Sequence, residues 1–116
     1  MEYNIEDELI RGDSLVIDVE IEEEITMDDI DTLTLTARPY ADGEVLFAKS
    51  KDDFSIENKV ISVEILPKDT QELIHQKFGF DIEIVLKDGT TRSVLGLIKL
   101  VRDYTTHKKG SDDIEN

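Results

Sequence analysis

Apolar residues alternate with polar residues along most of the chain, with a repeat of two positions. Successive side chains of an extended strand point to opposite faces of a sheet, so this repeat predicts half-buried β-strands. The pattern is clearest over 15–22, where four aliphatic residues alternate with a set that includes three carboxylates. It returns over 32–38, where threonines occupy the alternate positions and their branched side chains favour a pleated sheet.

Further stretches with strand character lie at 45–48, 61–65, 78–86 and 91–102. Asp88 and Gly89 separate the last two, and this pair favours the two-residue turn of a β-hairpin. Pro67 suits the first turn of a helix, so one or two helical turns are expected within 67–76. About seven short strands with one short helix between late strands predict an all-β, antiparallel β-sandwich, with a small barrel as the alternative.

The strand at 91–102 differs from the others because both of its faces are apolar. One face carries Val94, Ile98 and Leu100, and the other carries Leu95, Leu97 and Val101. If the second face is exposed, it forms the kind of apolar patch that marks a protein interface. If it is covered within the domain by the facing sheet, the helix or the tail, it is ordinary core. Both alternatives remain open, and Leu95, Leu97 and Val101 are the candidate assembly interface.

The length of 116 residues suits one domain with a single core. Apolar periodicity disappears from Thr105 onward. We therefore expect a β-sandwich domain over 1–104 and a flexible C-terminal tail over 105–116.

The formal net charge of −15 argues against two classes of partner. A polyanionic backbone or an anionic membrane surface repels such a chain, so neither nucleic acid nor membrane is an expected partner. No apolar run approaches the roughly 18 residues of a membrane helix, and the N-terminus does not resemble a secretion signal.

The residues needed for catalysis are scarce. His75 and His107 are the only histidines, cysteine is absent, and no nucleophile stands in a pattern with a base. The acidic run 28–31 lacks the ligand spacing of a calcium loop. The string Arg11-Gly12-Asp13 matches an integrin-recognition tripeptide, but a turn before a strand explains it. We expect no enzyme, no cofactor or metal, and no small-molecule ligand.

Several short motifs follow one another in a characteristic order. They are Arg11-Gly12-Asp13-Ser14, Leu66-Pro67-Lys68-Asp69-Thr70, Phe78-Gly79-Phe80-Asp81-Ile82-Glu83, Lys87-Asp88-Gly89 and Leu95-Gly96-Leu97-Ile98-Lys99-Leu100. Over roughly residues 9 to 105, this order resembles the immunoglobulin-like domains of tailed-phage tail and baseplate proteins. The N-terminal domain of the baseplate upper protein family is among the domains that it resembles.

The resemblance implies an immunoglobulin-like β-sandwich that serves as a non-enzymatic structural or adaptor domain of a phage or prophage virion. It implies assembly in the bacterial host cytoplasm, with other tail or baseplate proteins or further copies of the chain as partners. The alternative function is a module that binds a host-surface glycan or protein, because the end loops of sandwiches commonly carry recognition.

Overall fold

A computed structural model describes residues 3–101, and these residues form eight strands and one short helix. The strands are β1 (Ile5–Ile10), β2 (Leu15–Glu20), β3 (Ile30–Arg38), β4 (Phe47–Lys49), β5 (Phe54–Glu57), β6 (Val60–Ile65), β7 (Lys77–Leu86) and β8 (Thr91–Val101). Helix α1 (Pro67–Thr70) connects β6 to β7, and short 3-10 turns lie at Met27–Asp29 and Lys51–Asp53. The predicted tail over 105–116 lies outside the described residues.

The strands form two sheets that face each other. The larger sheet has the order β1-β8-β7-β3-β4, and the smaller has the order β2-β6-β5. Neighbouring strands are antiparallel except β1 and β8, which run parallel with Ile5 beside Gly96 and Ile10 beside Val101. The prediction of an all-β sandwich with one short helix between late strands is confirmed, with eight strands instead of about seven and one parallel pair.

The two strands that the sequence pattern did not predict are β1 and β5. In β1, Asp7 occupies a position on the core-facing side between Ile5 and Leu9, and this carboxylate interrupts the apolar alternation. Strand β5 spans only four residues, too few for a repeat of two to stand out. Both strands are recognisable only through their pairing with β8 and β6.

The core lies between the sheets and is almost entirely aliphatic. Its fully buried side chains include Ile30, Leu33, Leu35, Ile61, Ile65, Phe78, Ile82, Ile84 and Ile98. Phe78 packs edge-on against Phe47, with ring centroids 5.4 Å apart. These inward-facing positions follow the repeat of two in β6, in β7 and in β3 from Leu33 onward. In β3 a register shift between Ile30 and Thr32 places Ile30 out of phase with that repeat.

Helix α1 has a single turn, at the short end of the expected one or two turns. Asp69 Oδ2 accepts the backbone N–H of Leu66 at 2.7 Å and so caps the first turn. The same oxygen lies 2.6 Å from Lys49 Nζ, and both side chains are nearly buried, at 7% and 10% exposure. This ion pair ties α1 to strand β4, at the edge of the larger sheet.

A candidate protein-interaction surface

Strand β8 presents its second apolar row on the outer face of the larger sheet. Gly96, Ile98 and Leu100 point into the core and are buried. Leu95, Leu97 and Val101 alternate with them, so they point away from the smaller sheet, and all three are half-buried. The facing sheet therefore covers one side of β8, while neighbours within its own sheet partly shield the other.

The neighbours of these side chains explain their partial exposure. Ile10 on β1 lies beside Val101 and is 36% exposed, which extends the apolar row across two strands. On β7, Gly79 lies opposite Leu97 and offers no side chain to shield it. The exposed Lys99 lies on the same face of β8, between Leu97 and Val101. We call Ile10, Leu95, Leu97 and Val101 the apolar strip.

Carboxylates frame the apolar strip. Asp81 lies opposite Leu95 on β7, and Glu6 lies beside Leu97 on β1. An apolar centre with a charged border is the usual anatomy of a protein interface. Val16 and Val45 are also exposed, at 55% and 48%, and exposed valines are ordinary on a folded domain.

The end of the molecule where β1 and β8 finish contains a feature that the sequence analysis missed. Arg11, Lys77, Lys99 and Ile74 line an open cleft of about 630 Å³ there. The three cations come from three separate parts of the chain, so no local motif signals them. The one sequence-level signal is that Lys77 and Lys99 occupy equivalent outward positions on paired strands.

The tripeptide at 11–13 and His75, which the sequence analysis considered for function, take part in local backbone contacts. Arg11, Gly12 and Asp13 form a turn in which Asp13 N donates to Ile10 O at 2.9 Å, and Gly12 has a φ of +90° that favours glycine. His75 follows α1, and its backbone carbonyl accepts a hydrogen bond from Arg11 Nη2 at 2.8 Å. The turn interpretation of the tripeptide is confirmed.

The acidic run 28–31 is used in part to form a turn. Asp29 Oδ2 accepts the backbone N–H of Thr26 at 2.9 Å, which caps the first 3-10 turn. Among residues 3–101, no three His, Cys, Asp or Glu side chains are grouped so that they could hold a metal ion. The same part of the chain contains no helix long and apolar enough to cross a membrane.

The strand order defines the class of protein. A sheet of β1-β8-β7-β3-β4 packed on a sheet of β2-β6-β5, with a helical turn between β6 and β7, is an immunoglobulin-like β-sandwich. Among solved structures, the chain is similar to the first Ig-like domain of the human CD48 antigen, at 12% sequence identity and a TM-score of 0.42. That similarity covers 84% of this chain and 82% of the other. No family model and no curated protein matches the sequence.

Proposed function

We propose that the chain is a non-enzymatic structural or adaptor domain of a phage or prophage virion, in the tail or baseplate, that acts by binding other proteins. The apolar strip is the observation that carries the assembly role. Its centre, Leu95 and Leu97, lies on the outer face of a regular sheet with Gly79 beside it. A hydrogen-bonded sheet face is preorganised, so it binds another protein with little loss of conformational freedom, which favours affinity.

The virion setting is supported by the order of short motifs along the chain. In the structure those motifs occupy turns and strand centres: Arg11 to Asp13 form the turn between β1 and β2, and Pro67 begins α1. Phe78 and Phe80 point into the core from β7. Assembly in the bacterial host cytoplasm, and tail or baseplate proteins as partners, belong to the same proposal.

The acidic surface is consistent with this role. With a net charge of −15, free subunits repel one another at long range, which helps to keep them soluble. The partner of the apolar strip is then expected to carry an apolar centre with a basic border, matching Glu6 and Asp81.

The experiment combines genomic position with direct binding. Proteins encoded beside this gene are purified and mixed with the chain, and complexes are detected by multi-angle light scattering. The variant Leu95→Ser with Leu97→Ser should weaken the complex by at least about tenfold, because it removes apolar area that the complex would bury. The control is Val16→Ser, which removes an apolar side chain that is 55% exposed on the smaller sheet and should leave the affinity unchanged.

Two results would contradict the proposal. One is the absence of a complex with every neighbouring tail or baseplate protein, and the other is equal binding by the double variant. Binding of the chain to a glycan array or to whole cells, without any such complex, would instead support a module that recognises the host surface.

A further inference from the structure

One loop at an end of the molecule is rich in carboxylates. The segment 21–29 connects β2 to β3 and contains five carboxylates and no lysine or arginine. The β7–β8 hairpin turn lies beside it, since Lys87 N donates to Asp29 O at 3.0 Å. Arg92 pairs with Glu23 at 2.5 Å, which leaves Glu22 and Glu24 exposed at the tip. We call segment 21–29 the acidic loop.

The opposite end contains the cleft lined by Arg11, Lys77 and Lys99. Strands β1 and β8 finish at this end, where Arg11 N donates to Val101 O at 3.1 Å. Lys77 and Lys99 lie directly opposite each other on β7 and β8. Like charges at opposed positions destabilise a sheet, so an anion placed between these two ammonium groups is favourable.

The cations of the cleft form no ion pairs among the described residues. The ion pairs found within residues 3–101 involve Lys49 and Arg92, so none of the three cleft cations has a carboxylate partner there. Glu8 is the neighbour of Lys99 on β1 but does not form an ion pair with it. Arg11 is held by its hydrogen bond to His75 O, while its buried Nε has no partner among the described residues.

Ile74 adds an apolar component to the cleft, with 88% of its surface exposed. The acidic loop offers carboxylates and not an apolar surface, because its Ile25 and Met27 pack against the core of their own domain. The two ends therefore complement each other in charge.

We propose that the cleft binds the acidic loop of a second copy of this chain, so that copies associate head to tail. Such an interface joins two different surfaces, and it continues from copy to copy until a ring closes or a filament forms. The proposal adds a second binding site to the assembly role, and it does not depend on the virion setting. The cleft adjoins the apolar strip at Val101.

The net charge of −15 predicts how this association depends on salt. At low salt, long-range repulsion between copies dominates. At about 0.15 M salt the Debye length is ~8 Å, so repulsion across the whole molecule is screened while contacts within the cleft persist. At about 1 M salt the contacts weaken too. Association should therefore be strongest at intermediate salt.

The test is a charge swap followed by sedimentation velocity on the full chain. The first variant is Lys77→Glu with Lys99→Glu, and the second is Glu22→Lys with Glu24→Lys. Each variant alone should raise the dissociation constant of self-association by about tenfold or more, since like charges then meet at the interface. An equimolar mixture of the two should restore association, because each variant supplies the complement that the other lacks.

A matched control separates this effect from general repulsion. Glu57→Lys with Glu64→Lys changes two exposed carboxylates on strands β5 and β6. The control and the acidic-loop variant each replace two glutamates with lysine, so each changes the net charge by four, from −15 to −11. General repulsion predicts stronger association for both. The proposal predicts weaker association only for the variant in the acidic loop.

Three results would overturn the proposal. The chain could remain monomeric up to about 1 mM at every salt concentration. The acidic-loop variant could associate as tightly as the unmodified chain, or the mixture of charge variants could fail to restore association. Loss of association in Leu95→Ser with Leu97→Ser, without any effect of the charge variants, would assign self-association to the apolar strip instead.

Discussion

Replacing Gly96 with alanine should destabilise the sandwich, because the Phe80 ring occupies the space where a side chain would be. Gly96 lies on the core-facing side of β8, directly opposite Phe80 on β7. A Cβ atom built on Gly96 would overlap the ring, and even the ring atom Cε1 would lie only 2.7 Å away. Real Cβ contacts are essentially never closer than 3.0 Å, so the ring must move.

The expected cost follows from the position of Phe80, which is buried in the core. If the ring leaves its site, the loss approaches the ~3–5 kcal/mol of a buried Phe→Ala change. Alanine recovers ~0.4–1 kcal/mol by restricting the unfolded chain. The net destabilisation is then about 2–4 kcal/mol, a large part of the ~5–15 kcal/mol of a typical domain.

Urea denaturation of four proteins measures this effect: the unmodified chain, Gly96→Ala, Phe80→Ala and the double variant. In the Phe80→Ala background the ring is gone, so the added methyl group should only contribute the ~0.4–1 kcal/mol gained by restricting the unfolded chain. The coupling free energy should therefore be about 3–5 kcal/mol. Gly79→Ala is the matched control, since a Cβ there meets only Gly96 O at 3.6 Å and Arg38 O at 4.0 Å. An equal cost of Gly96→Ala in both backgrounds would refute the reasoning.

Two further predictions concern other parts of the sandwich. Lys49→Met should lower the free energy of unfolding by about 3–5 kcal/mol in urea denaturation, because it leaves the nearly buried Asp69 carboxylate without its cation; an unchanged midpoint would contradict this. Hydrogen bonds from Thr90, first from its hydroxyl and then from its backbone N–H, lower the pKa of Asp88 from its ordinary value of 3.8. Because the folded-state pKa is depressed, the turn's contribution to stability is present above about pH 4 and is lost as the pH falls through the folded-state pKa. A carboxyl NMR titration that gave Asp88 an ordinary pKa would contradict this.

The local alternation of apolar residues was enough to predict most of the strands. Strands β2, β3, β6, β7 and β8 each contain a run long enough for the repeat to be visible. The turn at Asp88 and Gly89 also follows from local preference, since Gly89 has a φ of +93°. The same alternation also showed that β8 has two apolar faces, and so identified Leu95, Leu97 and Val101.

The candidate surfaces depend on contacts between distant parts of the chain. Alternation shows that Leu97 and Ile98 point in opposite directions, but only the pairing with β7 places Gly79 beside Leu97 and leaves it half-exposed. The cleft requires the β1–β2 turn and the ends of β7 and β8 to meet, which no local pattern encodes.

The sequence by itself determined most of the strand segments, though not β1 and β5, and which way their side chains face, because that periodicity is a property of the extended backbone. Only the tertiary structure decided which strands are neighbours. That choice placed β1 parallel to β8, closed the Phe80 ring over Gly96, and brought Arg11, Lys77 and Lys99 together at one end of the molecule. Every strand offers the same backbone donors and acceptors, so these groups do not select a particular neighbour. Strand pairing depends instead on contacts between residues far apart in the sequence. The packing of the whole core therefore decides the order of the strands.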